Sequence, residues 1–166
     1  MEPVSIRRAT PADAPAIAAI YNHEVEHETS TFDLVPRSLE DQLAWQNARE
    51  GAFGVFVAEL AGTPGVVGFG ALSPYKERAA YRTTVEDSVY VRRDMARHGI
   101  GRAMLAHLLD TAADGGFHAV MARITTLSSA SVALHAAMGF REVGIEREVG
   151  RKFNRWLDVV LMQKML

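Results

Sequence analysis

Hydrophobic and polar residues alternate along the chain in blocks whose spacing predicts a series of strands and helices. The first β-prone run covers residues 4–8, and Thr10, followed by proline, offers an N-cap for a helix over residues 12–21. The polar stretch HEVEHETSTFD over residues 23–33 predicts an irregular loop, and a second helix is expected over residues 38–49. The first fifty residues are therefore expected to contain one strand and two helices, with a polar loop between the helices.

Strand patterns dominate the rest of the chain, where two further helices are expected. The predicted strands cover residues 53–60, 66–72, 85–91, 120–124, 140–143 and 156–165. Glycine and proline within residues 61–65 predict a hairpin, and the turn-forming residues 150–154 predict pairing of the last two strands. A long amphipathic helix begins at Gly99 and ends at the glycine pair 115–116, and a short helix is expected over residues 131–138. Alternating helices and hairpins predict an α/β fold with a mixed sheet.

The composition supports one soluble domain and excludes several classes of protein. The 166 residues suit a single domain, 1–166, without linkers or repeats, and the absence of cysteine excludes disulfides, thiolate metal sites and a cysteine nucleophile. With 18 Lys and Arg against 20 Asp and Glu, the chain has no general attraction to nucleic acid or to an anionic membrane. No apolar run approaches the ~20 residues of a membrane span. Prolines and charges stand where a signal peptide would be apolar, so we expect a cytoplasmic protein.

A basic loop with two close glycines follows the strand over residues 85–91 and precedes the long helix. Residues 97–102 read Arg-His-Gly-Ile-Gly-Arg, and Arg92 and Arg93 add further positive charge. The first turn of a helix leaves backbone N–H groups unpaired, and glycine lets a ligand approach the backbone, so this spacing predicts a pyrophosphate-binding site. Met104 stands where a dinucleotide fingerprint has its third glycine, and no Gly-Lys-Ser/Thr ends the loop. Neither common nucleotide motif fits, and a glycine turn beside a solvated arginine face is the alternative.

The same segment resembles the acyl-CoA motif of the GNAT superfamily of N-acetyltransferases, usually Gln/Arg-x-x-Gly-x-Gly/Ala. Residues 131–140, SVALHAAMGF, resemble the late helix of that superfamily, which ends in Gly-Phe. More narrowly, the chain is similar to the phosphinothricin and methionine sulfoximine or sulfone acetyltransferases in residues 21–22, 84–91 and 150–163. The resemblance covers essentially the whole chain. It implies a splayed mixed sheet of about seven strands, acetyl-CoA as co-substrate in the cleft of that sheet, and a homodimer.

The resemblance also implies which residues bind acetyl-CoA. The main chain of the strand before the loop would pair with the pantetheine arm, and the amides of the loop would hold the pyrophosphate. The expected cofactor-binding residues are Val89, Tyr90, Val91, Arg97, His98, Gly99, Ile100, Gly101, Arg102, Ser128 and Ser131. Three positions depart from the family pattern: Ala96 replaces Gln or Arg, Ser128 replaces a CoA-contacting asparagine, and Asn154 replaces a glycine in the closing turn. Asparagine tolerates a positive φ, serine keeps a hydrogen bond but reaches less far than asparagine, and Arg97 can substitute for the missing side chain at Ala96.

Acetyl transfer to an amine needs a base for the amine, and the departing thiolate benefits from an acid. Glu86 matches the carboxylate usually assigned as the base in the phosphinothricin acetyltransferases, and a structural carboxylate paired with an arginine is the alternative. Asp87 is the alternative base, since a bulge in this strand would exchange its two faces. His135 stands where many GNAT members place a tyrosine acid, and a packed core histidine is the alternative.

A charged loop, YKERAAYR over residues 75–82, lies close in sequence to the predicted base. An amino-acid-like acceptor needs its carboxylate held, which arginine can do with two hydrogen bonds. The expected substrate-binding residues are Phe32, Lys76, Arg78, Arg82, Glu86, Asp87 and Ser88, with a solvated loop as the alternative for each cation. Tyr81 and Trp156 are further candidates for the pocket wall. His23 and His27 suggest a metal site, but without a predicted helix to form an i, i+4 pair we expect no metal.

The sequence thus predicts an acetyl-CoA-dependent N-acetyltransferase acting on the primary amine of a small amino-acid-like compound. A protein N-terminus, a lysine or a polyamine is an alternative acceptor, although the cations near Glu86 disfavour a polyamine. A catalytically silent acyl-CoA-binding module is the alternative from another class, and the retained Glu86 and His135 disfavour it. No nucleic-acid recognition motif is found in the sequence, so we expect no nucleic-acid partner.

Overall fold

The computed structural model describes residues 3–166 and builds them into one mixed sheet with helices on both faces. The strands are β1 (Val4–Arg8), β2 (Gly54–Leu60), β3 (Val66–Pro74), β4 (Thr84–Val91), β5 (Ala119–Thr125), β6 (Arg141–Lys152) and β7 (Arg155–Met165). The helices are α1 (Ala14–His27), α2 (Leu39–Asn47), α3 (Ile100–Asp114) and α4 (Ser129–Ala137). The strand order is β1-β2-β3-β4-β5-β7-β6, so the predicted α/β fold with about seven strands is confirmed. Within residues 3–166 no helix combines the length and the apolar character that crossing a membrane requires.

The sheet splits between β4 and β5, the one parallel pair of neighbours among the described strands. This pairing covers three residues of β4, Thr84–Glu86, against residues 119–121 of β5. By contrast, β3 pairs with β4 without a break as far as Val91, and β5 pairs with β7 over residues 119–125. One edge of residues 87–91 is therefore left without a strand partner.

Two apolar clusters cover the two faces of the sheet. On one face α3 buries Ile100, Met104 and Leu108 against the strands. On the other face α1 buries Ile17 beside Phe69 of β3, with α2 packed alongside. Because successive side chains of a strand point to opposite faces, β4 carries its residues alternately into these two environments.

The helix α1 is longer than the sequence predicted, because residues 23–27 of the expected loop are helical. A polar stretch can continue a helix when its side chains have partners, and the buried Glu24 is bound to Arg93 at 2.5 Å. His23 and His27 consequently lie one turn apart, with ring centroids separated by 4.8 Å. The expectation that they form no i, i+4 pair is wrong. Residues 3–166 nevertheless hold no group of three or more metal-binding side chains.

Strand β6 is also much longer than the predicted strand 140–143, and it forms an extended terminal hairpin with β7. Two register shifts interrupt their pairing, so the simple alternation that marks a strand is lost from the sequence. The hairpin turns at Phe153 and Asn154, whose φ values are 50° and 57°. Two central residues at positive φ define a tight two-residue turn, which is shorter than the predicted turn 150–154. The remaining predicted elements agree with the structure to within two residues at each end.

Candidate active site

A cavity of about 850 Å³ opens where β4 and β5 separate. Its walls come from the second half of β4, from β5, from the start of α4 and from the loop after α1, residues 28–32. Five of the residues expected to bind the cofactor line it: Val89, Tyr90, Val91, Ser128 and Ser131. The cavity is thus created by the early end of the parallel pairing.

The free edge of β4 suits a ligand that carries amide groups. Because β3 occupies only the other edge, the β5-facing N–H and C=O groups of residues 87–91 remain available for hydrogen bonds. Ser128 is the N-cap of α4, yet its hydroxyl makes no capping hydrogen bond within the described chain. Both features fit the pantetheine arm of the expected co-substrate.

The entry to α3 has the backbone geometry of an anion site. Gly99 is the N-cap with φ 77°, and Arg97 has φ 67°. The amides of residues 100–102 have no acceptor within the helix, because they precede its first intrahelical donor. The positive φ of Arg97 had no signal in the sequence, since glycine and asparagine are the usual residues in that region. These residues lie next to Ala96, which belongs to the cavity wall.

The cations of the same loop divide into two groups. Arg92 is bound to Asp94, with 2.7 Å between Nη2 and Oδ2, and Arg93 is bound to Glu24. The loop cations that form no ion pair within residues 3–166 are Arg97, His98 and Arg102. The structure therefore leaves the positive charge at the entry to α3, where phosphate groups of acetyl-CoA would fit.

Glu86 occupies the position where β4 leaves β5. Its side chain lines the cleft and also a second cavity of about 220 Å³ on the α2 side of the sheet. Burial raises the pKa of Glu86, while the positive charge of Arg123 opposes this change and Asp87 adds to it. The alternative role of Glu86, as a structural carboxylate paired with an arginine, is not seen within residues 3–166. The guanidinium of the neighbouring Arg123 instead forms an ion pair with Glu146 at 2.7 Å. A half-buried carboxylate with a raised pKa and no bonded partner in the described chain fits the predicted base.

Asp87 points to the opposite face and is bound to His135. The β3–β4 register is uninterrupted, so the bulge that would exchange the two faces is absent from this pair. His135 Nε2 lies 3.0 Å from Asp87 Oδ2, and His135 Nδ1 lies 2.8 Å from the carbonyl oxygen of Ser131. Since a carbonyl oxygen only accepts, Nδ1 carries a proton.

Both ring nitrogens of His135 are therefore engaged by the protein. Burial opposes the charged form, but the hydrogen bond and charge of Asp87, together with the Ser131 carbonyl, outweigh it and raise the pKa of His135. An acid must have an N–H directed at its target, and here neither nitrogen is free to supply one. The predicted role of His135 as the acid would require the ring to leave one of these partners.

The residues expected to bind the substrate are placed unequally. Ser88 lines both cavities beside Glu86, and Phe32 lines the larger one, resting against Gly150. The three cations of the loop 75–82, Lys76, Arg78 and Arg82, line neither cavity and are exposed. This loop folds on itself, with the Lys76 ammonium 4.9 Å and 5.0 Å from the ring centroids of Tyr75 and Tyr81. Tyr81 and Trp156 are also outside the walls of both cavities.

Two arginines that the sequence did not single out lie beside Glu86. Arg37 and Arg49 line the 220 Å³ cavity, and their guanidinium carbons are 4.5 Å and 4.1 Å from the ring centroid of Trp45. Arg49 Nε also donates to Ser73 Oγ at 2.9 Å. The i, i+4 spacing of Trp45 and Arg49 was visible in the sequence, but their approach to β4 depends on how α2 packs.

Comparison with known proteins extends these observations to nearly the whole chain. Residues 6–161 match the family model described as the acetyltransferase (GNAT) domain. The phosphinothricin N-acetyltransferase of Streptomyces coelicolor is 36% identical over 165 residues, covering 98% of this chain and 96% of that protein. The L-methionine sulfoximine/L-methionine sulfone acetyltransferase of Pseudomonas aeruginosa is 38% identical over 161 residues, covering 96% and 92%.

The fold of the chain is also similar to solved structures over nearly its whole length. The ribosomal-protein-alanine N-acetyltransferase of Brucella melitensis superposes with a TM-score of 0.93 and 40% identity, covering 98% of this chain and 99% of that one. An acetyltransferase of Salmonella typhimurium, solved with its cofactor acetyl-CoA, superposes with a TM-score of 0.93 and 36% identity, covering 99% and 94%.

Proposed function

The chain belongs to the GNAT family of acetyltransferases, and we propose on that premise that it acetylates the primary amine of a small amino-acid-like compound. It is an N-acetyltransferase that uses acetyl-CoA as the acetyl donor. The proposed acceptors are of the phosphinothricin and methionine sulfoximine or sulfone type, which the names of two relatives state for those proteins. The observation that carries the proposal is the position of Glu86, which lines both the cleft and the smaller cavity.

Glu86 is proposed to act as the base that removes the proton from the amine. When bound, acetyl-CoA supplies a thioester whose carbonyl carbon bonds to the amine nitrogen while the carbon–sulfur bond breaks and the thiolate leaves. The raised pKa of Glu86 strengthens it as a base, and its contact with two cavities supports an approach of the acceptor from the α2 side. The free edge of β4, the amides of residues 97–102 and the Ser128 hydroxyl would hold the donor.

The acid role of His135 stays a prediction, and its contacts favour a positioning role. The bond to Asp87 joins α4, which begins beside Ser128, to the strand that carries Glu86. Such a link fixes the two sides of the cleft relative to each other.

A protein N-terminus is the second candidate acceptor, favoured by the name of the Brucella melitensis structure. The two acceptors differ in one chemical group next to the amine. A free amino acid has a carboxylate there, whereas a protein N-terminus has a neutral amide.

The test is an assay of free-thiol release from acetyl-CoA with a panel of amines. The panel contains phosphinothricin, methionine sulfoximine, methionine sulfone, common amino acids, a polyamine and a short peptide with an N-terminal alanine. Because the chain has no cysteine, the protein itself gives no signal with a thiol reagent. We expect turnover of the amino-acid analogues. Turnover of the peptide alone would contradict the proposed acceptor class, and acetyl-CoA binding without turnover of any amine would support a silent module.

We also propose that the protein is a cytoplasmic homodimer. The outer edge of β6 has no strand partner in the described chain, and the hairpin exposes Val143, Ile145, Val149 and Trp156. An exposed apolar edge strand is favourable for association with a second copy. Sedimentation velocity at micromolar concentration should give a dimer, and a monomer under these conditions would contradict the proposal. Fractionation of the source cells tests the location.

A further inference from the structure

Two arginines, Arg37 and Arg49, line the 220 Å³ cavity together with a single carboxylate, Glu86. Arg49 has no carboxylate within 4.0 Å among residues 3–166, and Arg37 has Asp33 at 3.9 Å, which is too long for a hydrogen bond. The Asp33 carboxylate is itself bound to the Tyr21 hydroxyl at 2.6 Å. Burial, together with the neighbouring charge of Arg37, lowers the pKa of Arg49 to about 10. Two half-buried guanidinium groups thus line one cavity, and neither has a hydrogen-bonded carboxylate within the described residues.

The guanidinium of Arg49 is held in a fixed orientation. Nε donates to Ser73 Oγ at 2.9 Å, Nη1 donates to the Trp45 carbonyl at 3.0 Å, and the group lies over the indole of Trp45. A guanidinium has five N–H groups, so these two bonds leave three without a partner in the described chain. A flat, immobilised group with free N–H donors is suited to bind a carboxylate with two hydrogen bonds.

The same contacts place Arg49 next to the proposed base. Ser73 and Glu86 are directly opposite each other in the β3–β4 pairing, so their side chains share one face with Cβ atoms about 5 Å apart. Arg49 is bonded to the hydroxyl of Ser73, and Arg49 and Glu86 line the same 220 Å³ cavity. In an α-amino acid a single carbon separates the amine from the carboxylate. An amine held at Glu86 brings its carboxylate into the range of Arg49.

We infer that Arg49, assisted by Arg37, is the carboxylate-binding group of the acceptor site and selects free α-amino acids over amines that lack a carboxylate. The inference rests on the proposed function and names the residues that recognise its substrate. It gives Arg37 and Arg49, which lie on either side of α2, the role that the sequence predicted for Lys76, Arg78 and Arg82, none of which lines either cavity.

The experiment compares two substrates that differ only by the carboxylate, methionine sulfone and 3-(methylsulfonyl)propylamine, in the wild type and in Arg49→Gln. We expect Arg49→Gln to lower kcat/KM for methionine sulfone by about 10- to 100-fold, the effect of losing hydrogen bonds to a charged group. For the amine without a carboxylate we expect a change of less than about threefold. Arg37→Gln should show the same pattern to a smaller extent.

Arg8→Gln is the matched control. Arg8 also lies over an aromatic ring, that of Phe56 at 5.3 Å, and donates to a backbone carbonyl, but it lines neither cavity. The variant Arg8→Gln should leave kcat/KM unchanged for both substrates. Arg49→Lys keeps the charge without the flat donor edge, and it serves as the second variant if Arg49→Gln melts at a much lower temperature. We expect it to lose activity with methionine sulfone selectively but less severely.

The outcomes separate this inference from the proposed function. Equal losses for both substrates in each folded Arg49 variant would show a structural role and overturn the inference while leaving the proposed function intact. A selective loss in Arg82→Gln but not in Arg49→Gln would return the role to the loop 75–82. Absence of turnover of both small amines by the wild type would contradict the proposed function and the inference with it.

Discussion

Two neighbouring carboxylates on β4 occupy opposite chemical environments. Glu86 is half-buried, lines two cavities and has no bonded partner in residues 3–166. Asp87 is 7% exposed and bound to His135 on the other face of the sheet. Both lie in the same strand and line the larger cavity, but the alternation of side chains sends Glu86 towards the smaller cavity as well and Asp87 into a hydrogen bond with His135. The difference between the two is the bonded partner, and its absence at Glu86 supports the proposal that Glu86 rather than Asp87 is the base.

The largest effect is expected when the open carboxylate is neutralised. Glu86→Gln keeps the shape of the side chain but removes the base, so kcat/KM should fall by about 10²- to 10⁴-fold. The Kd of acetyl-CoA and the melting temperature should stay unchanged. The control is Glu59→Gln, since Glu59 lies on β2 and is bound to Arg7. A parallel loss of acetyl-CoA affinity would show that Glu86 has a structural role.

Removing the packed carboxylate should affect stability first. Asp87→Ala leaves the buried His135 without its partner, and we expect the free energy of unfolding in urea to fall by about 3–5 kcal/mol. The asparagine in Asp87→Asn can donate to Nε2 of a neutral His135, whose Nδ1–H still donates to the carbonyl oxygen of Ser131. Its loss should be about 1 kcal/mol. If asparagine is as disruptive as alanine, the negative charge itself stabilises the pair.

A smaller effect is expected on the part of the pH profile of kcat/KM that depends on Glu86. Arg123 counteracts the rise in the pKa of Glu86, so Arg123→Gln should raise that pKa further. Because Glu86 must be ionised to accept a proton, the acidic limb of kcat/KM should move to higher pH while the alkaline plateau is kept. Glu146→Gln frees Arg123 without removing its charge and should cause no such upward movement. If the acidic limb of kcat/KM stays at the same pH in Arg123→Gln, the ionisation of a group other than Glu86 determines that limb.

The smallest effect is a pH dependence of stability from the packed pair. The pKa of His135 is raised in the folded protein, so the stabilisation by Asp87 is complete below the unfolded value near 6.5 and is lost as the pH rises through the folded value. The difference in unfolding free energy between the wild type and Asp87→Asn should therefore shrink as the pH rises from 6 through the folded pKa of His135. A constant difference would mean that His135 keeps one protonation state over this range.

Local patterns in the sequence predicted six of the seven strands, the long helix after Gly99 and the opposite faces of Glu86 and Asp87, whereas β6 is much longer than predicted. These features depend on periodicity and on turn residues, which act over a few positions. The resemblance to GNAT acetyltransferases then identified the expected position of the cleft. The parallel pairing that ends at Glu86 is what opens it.

Long-range partners explain what the sequence did not predict. Residues 23–27 are helical although they are polar. Glu24, which lies in this segment, forms an ion pair with Arg93, which follows β4 in the sequence. Arg49 lines the same cavity as Glu86, which requires both the docking of α2 and the β3–β4 register that sets Ser73 opposite Glu86. No local pattern contains either piece of information.

The position of the split also divides the chain itself. Strands β1 to β4 come from residues 4–91, and β5, β7 and β6 come from residues 119–165, so each half-sheet is built from one continuous segment. Apart from the three paired residues 84–86, each segment completes its own ladder of strands without the other. The gap in which we propose that the acyl donor binds is therefore the seam between two halves of the polypeptide. A ligand that binds across this seam joins them and opposes their separation, as a cross-link would.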